Sequence, residues 1–150
     1  MTTPTIALAT LADVDDVEQL LRACRLPVDG FRGCLPNVLV ARDDGRVVGS
    51  AAFETYRSGI LLRSVAVDER YRGRRLGEAL TEEAFVLACS KGATTAFLLT
   101  TTAADFFPRF GFRSVSRDEV PDEVKQSVEF TSACPDTAVV MRARLHGHIW

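Results

Sequence analysis

The chain contains no apolar run long enough to span a membrane, and its first residues hold no basic segment followed by an apolar stretch. A cytoplasmic protein is expected. Its four cysteines, Cys24, Cys34, Cys89 and Cys134, are scattered and form no C-x-x-C pair. That spacing suits reduced thiols and neither a disulfide framework nor a metal site. Charge of neither sign dominates: charged residues make up 25% and the formal net charge is −2, so the basic excess of a general nucleic-acid or membrane-surface binder is missing. Internal repeats and low-complexity linkers are also lacking. Two common phosphate loops are absent: no Lys-Ser/Thr pair follows a spaced glycine pair, and there is no G-x-G-x-x-G.

What remains is one domain of 150 residues, 47% of them hydrophobic, enough for a full core. Its organising stretch is Ile60–Leu80, ILLRSVAVDERYRGRRLGEAL. This reads as a buried strand, Ile60–Val67, a charged turn, a basic loop over Arg72–Gly77 and the start of a helix. The first amides of a helix lack partners inside it, and the helix dipole adds positive potential there. A phosphate at that end satisfies both. Arg72, Arg74 and Arg75 add fixed charge, and Gly73 and Gly77 admit close approach. The competing reading is a solvated arginine-rich helix start.

Upstream, Thr5–Thr10 is an alternating strand with Ile6 and Leu8 on one face. Asp13 or Asp15 caps a helix over Val14–Cys24, whose apolar stripe is Val14, Val17, Leu20, Leu21 and Cys24. Leu26–Asn37 reads as an irregular crossing loop. A meander follows: Val38–Arg42, a turn at Asp44-Gly45, Val47–Tyr56, a turn at Ser58-Gly59, then Ile60–Val67. With that second turn, Glu54 sits directly opposite Arg63 on one face. Mid-strand charges among apolar neighbours are unusual unless paired. Two readings stay open: a register-holding ion pair, or a pair lining an acceptor cavity with Glu54 as base.

Downstream, Arg74–Ser90 is a helix closed by Gly92. Thr94–Thr100 is a buried strand, parallel to the previous one through a right-handed crossover. Thr102 to Asp105 reads as a capping box opening a helix over Ala103–Phe110. A strand over Phe112–Ser116, a polar loop with one helical turn near Asp122–Ser127 and a strand over Thr137–Ala143 complete the chain. His146 and His148 at its end read as a loose tail rather than a metal pair.

VAVDERYRGRRLGEAL resembles the acetyl-coenzyme A signature of the GNAT superfamily of N-acetyltransferases, Gln/Arg-x-x-Gly-x-Gly/Ala after a strand. Arg72 takes its first position and Gly77 its last, and Arg75 stands where the middle glycine belongs. AADFFPRFGF over Ala103–Phe112 resembles the family's closing A-x-x-F-Y-x-x-x-G-F helix. The resemblance implies an α/β fold with a mixed, mostly antiparallel twisted sheet of six to seven strands. A central parallel pair splays around the coenzyme, and about four helices flank the sheet. It also implies acetyl-CoA as cosubstrate without a metal, held by Val65, Ala66, Val67, Arg72, Gly73, Arg74, Arg75, Leu76, Gly77, Thr102 and Phe107. The family often carries a carboxylate at Arg63's position and a tyrosine, acting as general acid, at Phe107's.

The C-terminal VPDEVKQSVEFTSACP, with LLRSVAV and LLTTTAADFFPRFGF, resembles the arsenic-resistance branch of these acetyltransferases. The implied acceptor is a small amine, an anionic amino-acid analogue bound through Arg63. Phe31, Ser127 and Glu129 are the further candidate acceptor contacts, and Ser127 and Cys134 are candidate proton donors to the departing thiolate. A homodimer is expected, with no nucleic-acid or membrane partner. Two alternatives accompany this reading: acetylation of a protein or peptide amine, and a non-catalytic coenzyme-binding sensor.

Overall fold

The computed structural model describes residues 3–145, so the His146 and His148 pair lies outside the described residues. Seven strands form one sheet in the order β1-β2-β3-β4-β5-β7-β6. They are β1 (Thr5–Leu8), β2 (Val38–Asp43), β3 (Arg46–Tyr56), β4 (Gly59–Val67), β5 (Thr95–Thr100), β6 (Arg113–Val115) and β7 (Val139–Arg144). The α-helices are α1 (Val14–Ala23), α2 (Leu76–Ser90) and α3 (Asp122–Lys125). Only β4 and β5 pair in parallel; every other neighbour pair is antiparallel. The 15-residue α2 supplies the crossover that a parallel connection needs. No described helix is long and apolar enough to cross a membrane.

Strand alternation sorts the apolar residues onto two faces. Leu39, Ala41, Val48, Phe53, Ile60, Leu62, Ala96 and Leu98 point toward α2 and bury Leu80, Ala84, Phe85 and Ala88. Val38, Val40, Ala52 and Ala66 point the other way, under the α1 stripe of Val14, Val17, Leu20 and Leu21. Leu61, Phe97 and Val140 share that second side with Val120 and Val124 of the α3 region. The second face therefore carries two separate apolar clusters, and the space between them is where charged groups enter the sheet.

Several expected details are corrected. The β1 strand forms over Thr5–Leu8, and of its two alternating apolar residues Ile6 packs against the core while Leu8 is 52% exposed. Asp13 is the N-cap residue of α1 as expected, but its side chain does not cap that helix: it accepts the Thr10 amide at Oδ2 (2.8 Å), closing the 3-10 turn Leu11–Asp13, and pairs with Arg42. Burial alone would raise the Asp13 carboxyl, but its Arg42 and Thr10 hydrogen bonds hold it below the ordinary value. The Asp44-Gly45 turn forms as expected, with φ of 53° and 76° closing Asp43 onto Arg46. The next turn is Arg57-Ser58, with Tyr56 opposite Gly59. Glu54 therefore faces Leu61, and Arg63 faces Ala52. The Ala103–Phe110 helix is a turn followed by a 3-10 segment, Phe107–Phe110, with Pro108 at its start. Its leading amide, from Ala103, is received by the Thr100 hydroxyl (2.9 Å) rather than that of Thr102.

Candidate active site

The parallel ladder is two residues long. Ile60 pairs with Ala96 and Leu61 with Phe97, and no rung follows, although β4 runs on to Val67 and β5 to Thr100. A bulge in β4 helps the strands part. The β3–β4 register breaks between Ser50 and Ala52, where Ser64 takes φ of 58° and its carbonyl accepts the Ser50 hydroxyl (2.8 Å). The parted strands open a cleft of about 830 Å³. That volume falls in the usual range of small-ligand sites, roughly 300–1,000 Å³. Leu62–Val67 form one side, Leu98–Ala103 the other, and Tyr71–Arg72 with Gly73 and Arg75–Glu78 the basic end.

That end is built from local chemistry. Asp68 caps the turn Glu69–Tyr71 by accepting the Arg70 amide (2.9 Å), and hydrogen bonding to Arg70 lowers its carboxyl below the usual value. Arg72 folds back: its Nε donates to the Val67 carbonyl (3.1 Å) and its Nη2 lies 3.6 Å from Cys24 Sγ. Arg75 is the residue before α2, at φ 61° and ψ 19°. This is the left-handed region, where a glycine would sit without strain. The first residues of α2, Leu76, Gly77 and Glu78, line the cleft, and their amides lack partners inside the helix. A Cβ built on Gly77 would lie 3.4 Å from the Phe106 ring, so a bare glycine keeps this approach open.

Of the residues expected to hold coenzyme, Val65, Ala66, Val67, Arg72, Gly73, Arg75, Leu76, Gly77, Thr102 and Phe107 all line the cleft. Arg74 does not: its guanidinium lies over the Tyr71 ring, 5.1 Å from the centroid. Phe107 is buried edge-on against Phe106 and Phe112 and offers no hydroxyl.

Among the expected acceptor residues, Arg63 and Glu129 line this cleft, whereas Glu54 and Ser127 line a second depression of about 450 Å³. Phe31 lines neither. It is fully buried with Val17, Leu21 and Val38, and so has no surface to offer an acceptor. Its neighbour Arg32 is taken up outside by Asp15 (2.9 Å) and Glu18 (3.0 Å).

A chain of polar groups occupies the space between the two apolar clusters. Glu54 and Arg63 sit diagonally across β3 and β4, within reach of long side chains. Arg63 Nη1 donates to Glu54 Oε2 (2.8 Å), and Tyr56 Oη donates to Glu54 Oε1 (2.5 Å). Arg63 Nη2 lies 3.7 Å from Glu129 Oε2 and makes no hydrogen bond. Cys134 Sγ donates to Glu129 Oε1 (3.7 Å), and the Glu129 amide donates to Ser127 Oγ (3.1 Å). Burial would lower the Arg63 pKa, but Glu129 and Glu54 raise it, so the guanidinium stays charged. Burial raises the Glu129 carboxyl despite Arg63. Burial, with Glu129 beside it, pushes the Cys134 thiol up to about 12, and burial with the Glu54 hydrogen bond does the same to the Tyr56 phenol.

Two parts of the site escaped the sequence. Cys24–Pro27, just past α1, wall the basic end. Tyr56, two residues from Glu54 on the same strand face, was detectable from period-two alternation.

The model of the acetyltransferase (GNAT) domain matches residues 35–114, just over half of the chain. An uncharacterized N-acetyltransferase of Chlorobaculum tepidum is 30% identical over 86 residues, 57% of this chain and 55% of that protein. The fold matches N-acetylglutamate synthase of Neisseria gonorrhoeae, solved with coenzyme A and N-acetyl-glutamate, at a TM-score of 0.83 and 21% identity. That match covers 97% of this chain and only 36% of the synthase. A Mycobacterium tuberculosis protein solved with CoA matches at 0.81 and 23% identity, over 95% of this chain and all of that one. The two-rung parallel pair, the basic helix entry and the matching domain model lead to one conclusion: the chain belongs to the GNAT acetyltransferase family.

Proposed function

We propose that this protein transfers acetyl from acetyl-CoA to the amine of a small anionic acceptor, of the amino-acid-analogue kind handled by the arsenic-resistance branch. One observation carries the reading. Arg63 lies in the wall of the cleft just past the last parallel rung, a fully buried cation whose Nη2 makes no hydrogen bond. A fixed positive charge just beneath the cleft wall favours an acceptor whose carboxylate or oxyanion lies beside it, acting through the field of the guanidinium rather than through exposed contact. The synthase structure, with an acetylated anionic amino acid in the same fold, supports the direction. The coenzyme's phosphates would lie at the α2 entry and its pantetheine along the β5-facing edge of β4. Glu54 then acts as the group that holds Arg63 in place. The exposed β6 edge is our candidate for a homodimer contact, tested by light scattering, and the reaction belongs in the cytoplasm.

The test is thiol release from acetyl-CoA with a panel of amines: phosphinate- and arsinate-bearing glutamate analogues, simple amino acids and a lysine peptide. Turnover confined to anionic amino acids is expected. Turnover on the peptide alone would favour a protein acceptor. No turnover with coenzyme binding intact would select a sensor, which the missing hydroxyl at Phe107 would explain. A second result is expected at the loop. Arg75→Gly should leave stability within about 1 kcal/mol, because strain relieved and chain entropy gained by the unfolded state offset. The same change removes a charge beside the phosphates, and the KM for acetyl-CoA should rise about tenfold, in line with one charged hydrogen bond.

A further inference from the structure

We propose that Glu129 is the catalytic proton carrier of this site, taking a proton from the acceptor nitrogen and returning it to the coenzyme sulfur, with Cys134 as the residue that positions its carboxylate. The inference deepens the acetyltransferase reading above and rests on it.

Glu129 lines the cleft beside the parting strands, whereas the other lining carboxylate, Glu78, belongs to the α2 entry and is paired with Arg109 (2.6 Å). Glu54 faces the other depression, and both its oxygens already accept hydrogen bonds, from Tyr56 and Arg63. Glu129 is buried at 5% exposure, and it begins a five-residue π turn, Glu129–Ala133, a rare geometry that recurs at functional sites. That turn places Cys134 where its thiol donates to Glu129 Oε1 while both side chains line the same wall. Arg63 Nη2, buried and without a hydrogen bond, lies 3.7 Å from Glu129 Oε2, so the carboxylate sits beside a fixed positive charge. Phe107 has no proton to give, so the thiolate needs another donor.

The step balances with one carboxylate. The acceptor ammonium first loses a proton through Glu129 to solvent. The neutral nitrogen adds to the thioester carbon, forming the C–N bond and leaving an oxyanion and a positive nitrogen. Glu129 takes one N–H proton as the oxyanion reforms the carbonyl and the C–S bond breaks, its electron pair leaving on sulfur. The carboxyl then gives that proton to the thiolate. Amine and thioester become amide and thiol, and Glu129 is again a carboxylate.

The groups that act on Glu129 are Arg63 from β4, Glu54 from β3, Asp29 and Cys34 from the segment between α1 and β2, and Cys134 on its own segment. Burial, opposed by Arg63, holds its carboxyl above the ordinary range, nearer to where one group can serve as both base and acid.

The experiment is the pH dependence of thiol release, on the amine found active, for wild type, Glu129→Gln, Glu129→Asp and Glu129→Ala, with coenzyme affinity measured by calorimetry. In Glu129→Gln, kcat should fall about 100-fold or more, the usual contribution of a placed base. Its acid limb should disappear while coenzyme affinity stays within about threefold, a margin under 1 kcal/mol. Added formate should restore part of the rate of Glu129→Ala, which a purely structural role would not allow. Should the glutamine variant fail to fold, Glu129→Asp keeps the charge but displaces it: a kcat about tenfold lower with the limb retained supports the proposal. A wild-type kcat in either Glu129→Gln or Glu129→Asp overturns it and leaves the acetyltransferase reading intact. A wild type inactive on every amine overturns both.

Discussion

Arg63→Met should lower stability by about 3–5 kcal/mol, the usual cost of removing one partner from a buried ion pair. The side chain is fully buried, with Nη1 on Glu54 at 2.8 Å and Nη2 near Glu129 at 3.7 Å. Methionine fills similar space but leaves the two carboxylates facing each other without a cation. The loss should depend on pH. Arg63, more than the Cys134 hydrogen bond, lowers Glu129 against burial, so removing it lets that carboxyl climb further. A carboxyl whose folded pKa exceeds its unfolded value adds stability below the unfolded value and loses it as pH rises through the folded one. The deficit should therefore be smallest in acid and should grow as pH rises through the raised Glu129 pKa. Urea midpoints across pH, with the m-value checked for constancy, measure it. A deficit under about 1 kcal/mol at neutral pH, or one flat with pH, would show that the cation does not hold this region together.

The same pair shows how far the sequence could be read. Glu54 and Arg63 were legible as partners because charges inside an apolar strand need them. The register was misplaced because Ser58-Gly59 looks like a better turn than Arg57-Ser58. What selects the observed turn is remote: Glu123, 65 residues on, accepts both the Ser58 amide (2.6 Å) and its hydroxyl (2.7 Å). Glu54 moves from facing Arg63 to facing Leu61, a shift of two residues, which keeps side chains on the same face, so the ion pair survived the error. Phe31 failed differently. An aromatic residue in an irregular loop reads alike whether it seals a core or meets a ligand, and only the packing of α1 on β2 distinguishes them. The basic strand, loop and helix entry was legible because strand, glycine and arginine spacing are all local. Glu129 was found as a loop carboxylate, but its place beside Arg63 depends on β7 returning the chain to β5, which no local pattern states.

The second large effect is expected at Gly59. It takes φ of +151°, and a Cβ there would stand 2.5 Å from the Thr95 carbonyl oxygen and 3.2 Å from its carbon. Both are backbone atoms of β5 or its edge, so the strand itself must move. Backbone strain of about 1–3 kcal/mol and overpacking of about 1–3 kcal/mol together put Gly59→Ala near 3–4 kcal/mol. For a chain of this size that is roughly a 10 °C drop in Tm. Gly45→Ala is the control, because Gly45 has φ of +76° with nothing within 4 Å of its added Cβ. It should show the conformational part alone, about 1 kcal/mol. The two should also differ in function. Gly59 immediately precedes the rungs Ile60 to Ala96 and Leu61 to Phe97, the only ones that set where β4 and β5 part. Displacing β5 there alters the opening, so coenzyme affinity should fall in Gly59→Ala and hold in Gly45→Ala. Thermal melts paired with coenzyme titration make the comparison. Equal behaviour of the two variants in both measurements would mean that the opening is set elsewhere, by the Ser64 bulge rather than by the contact of Gly59 with Thr95.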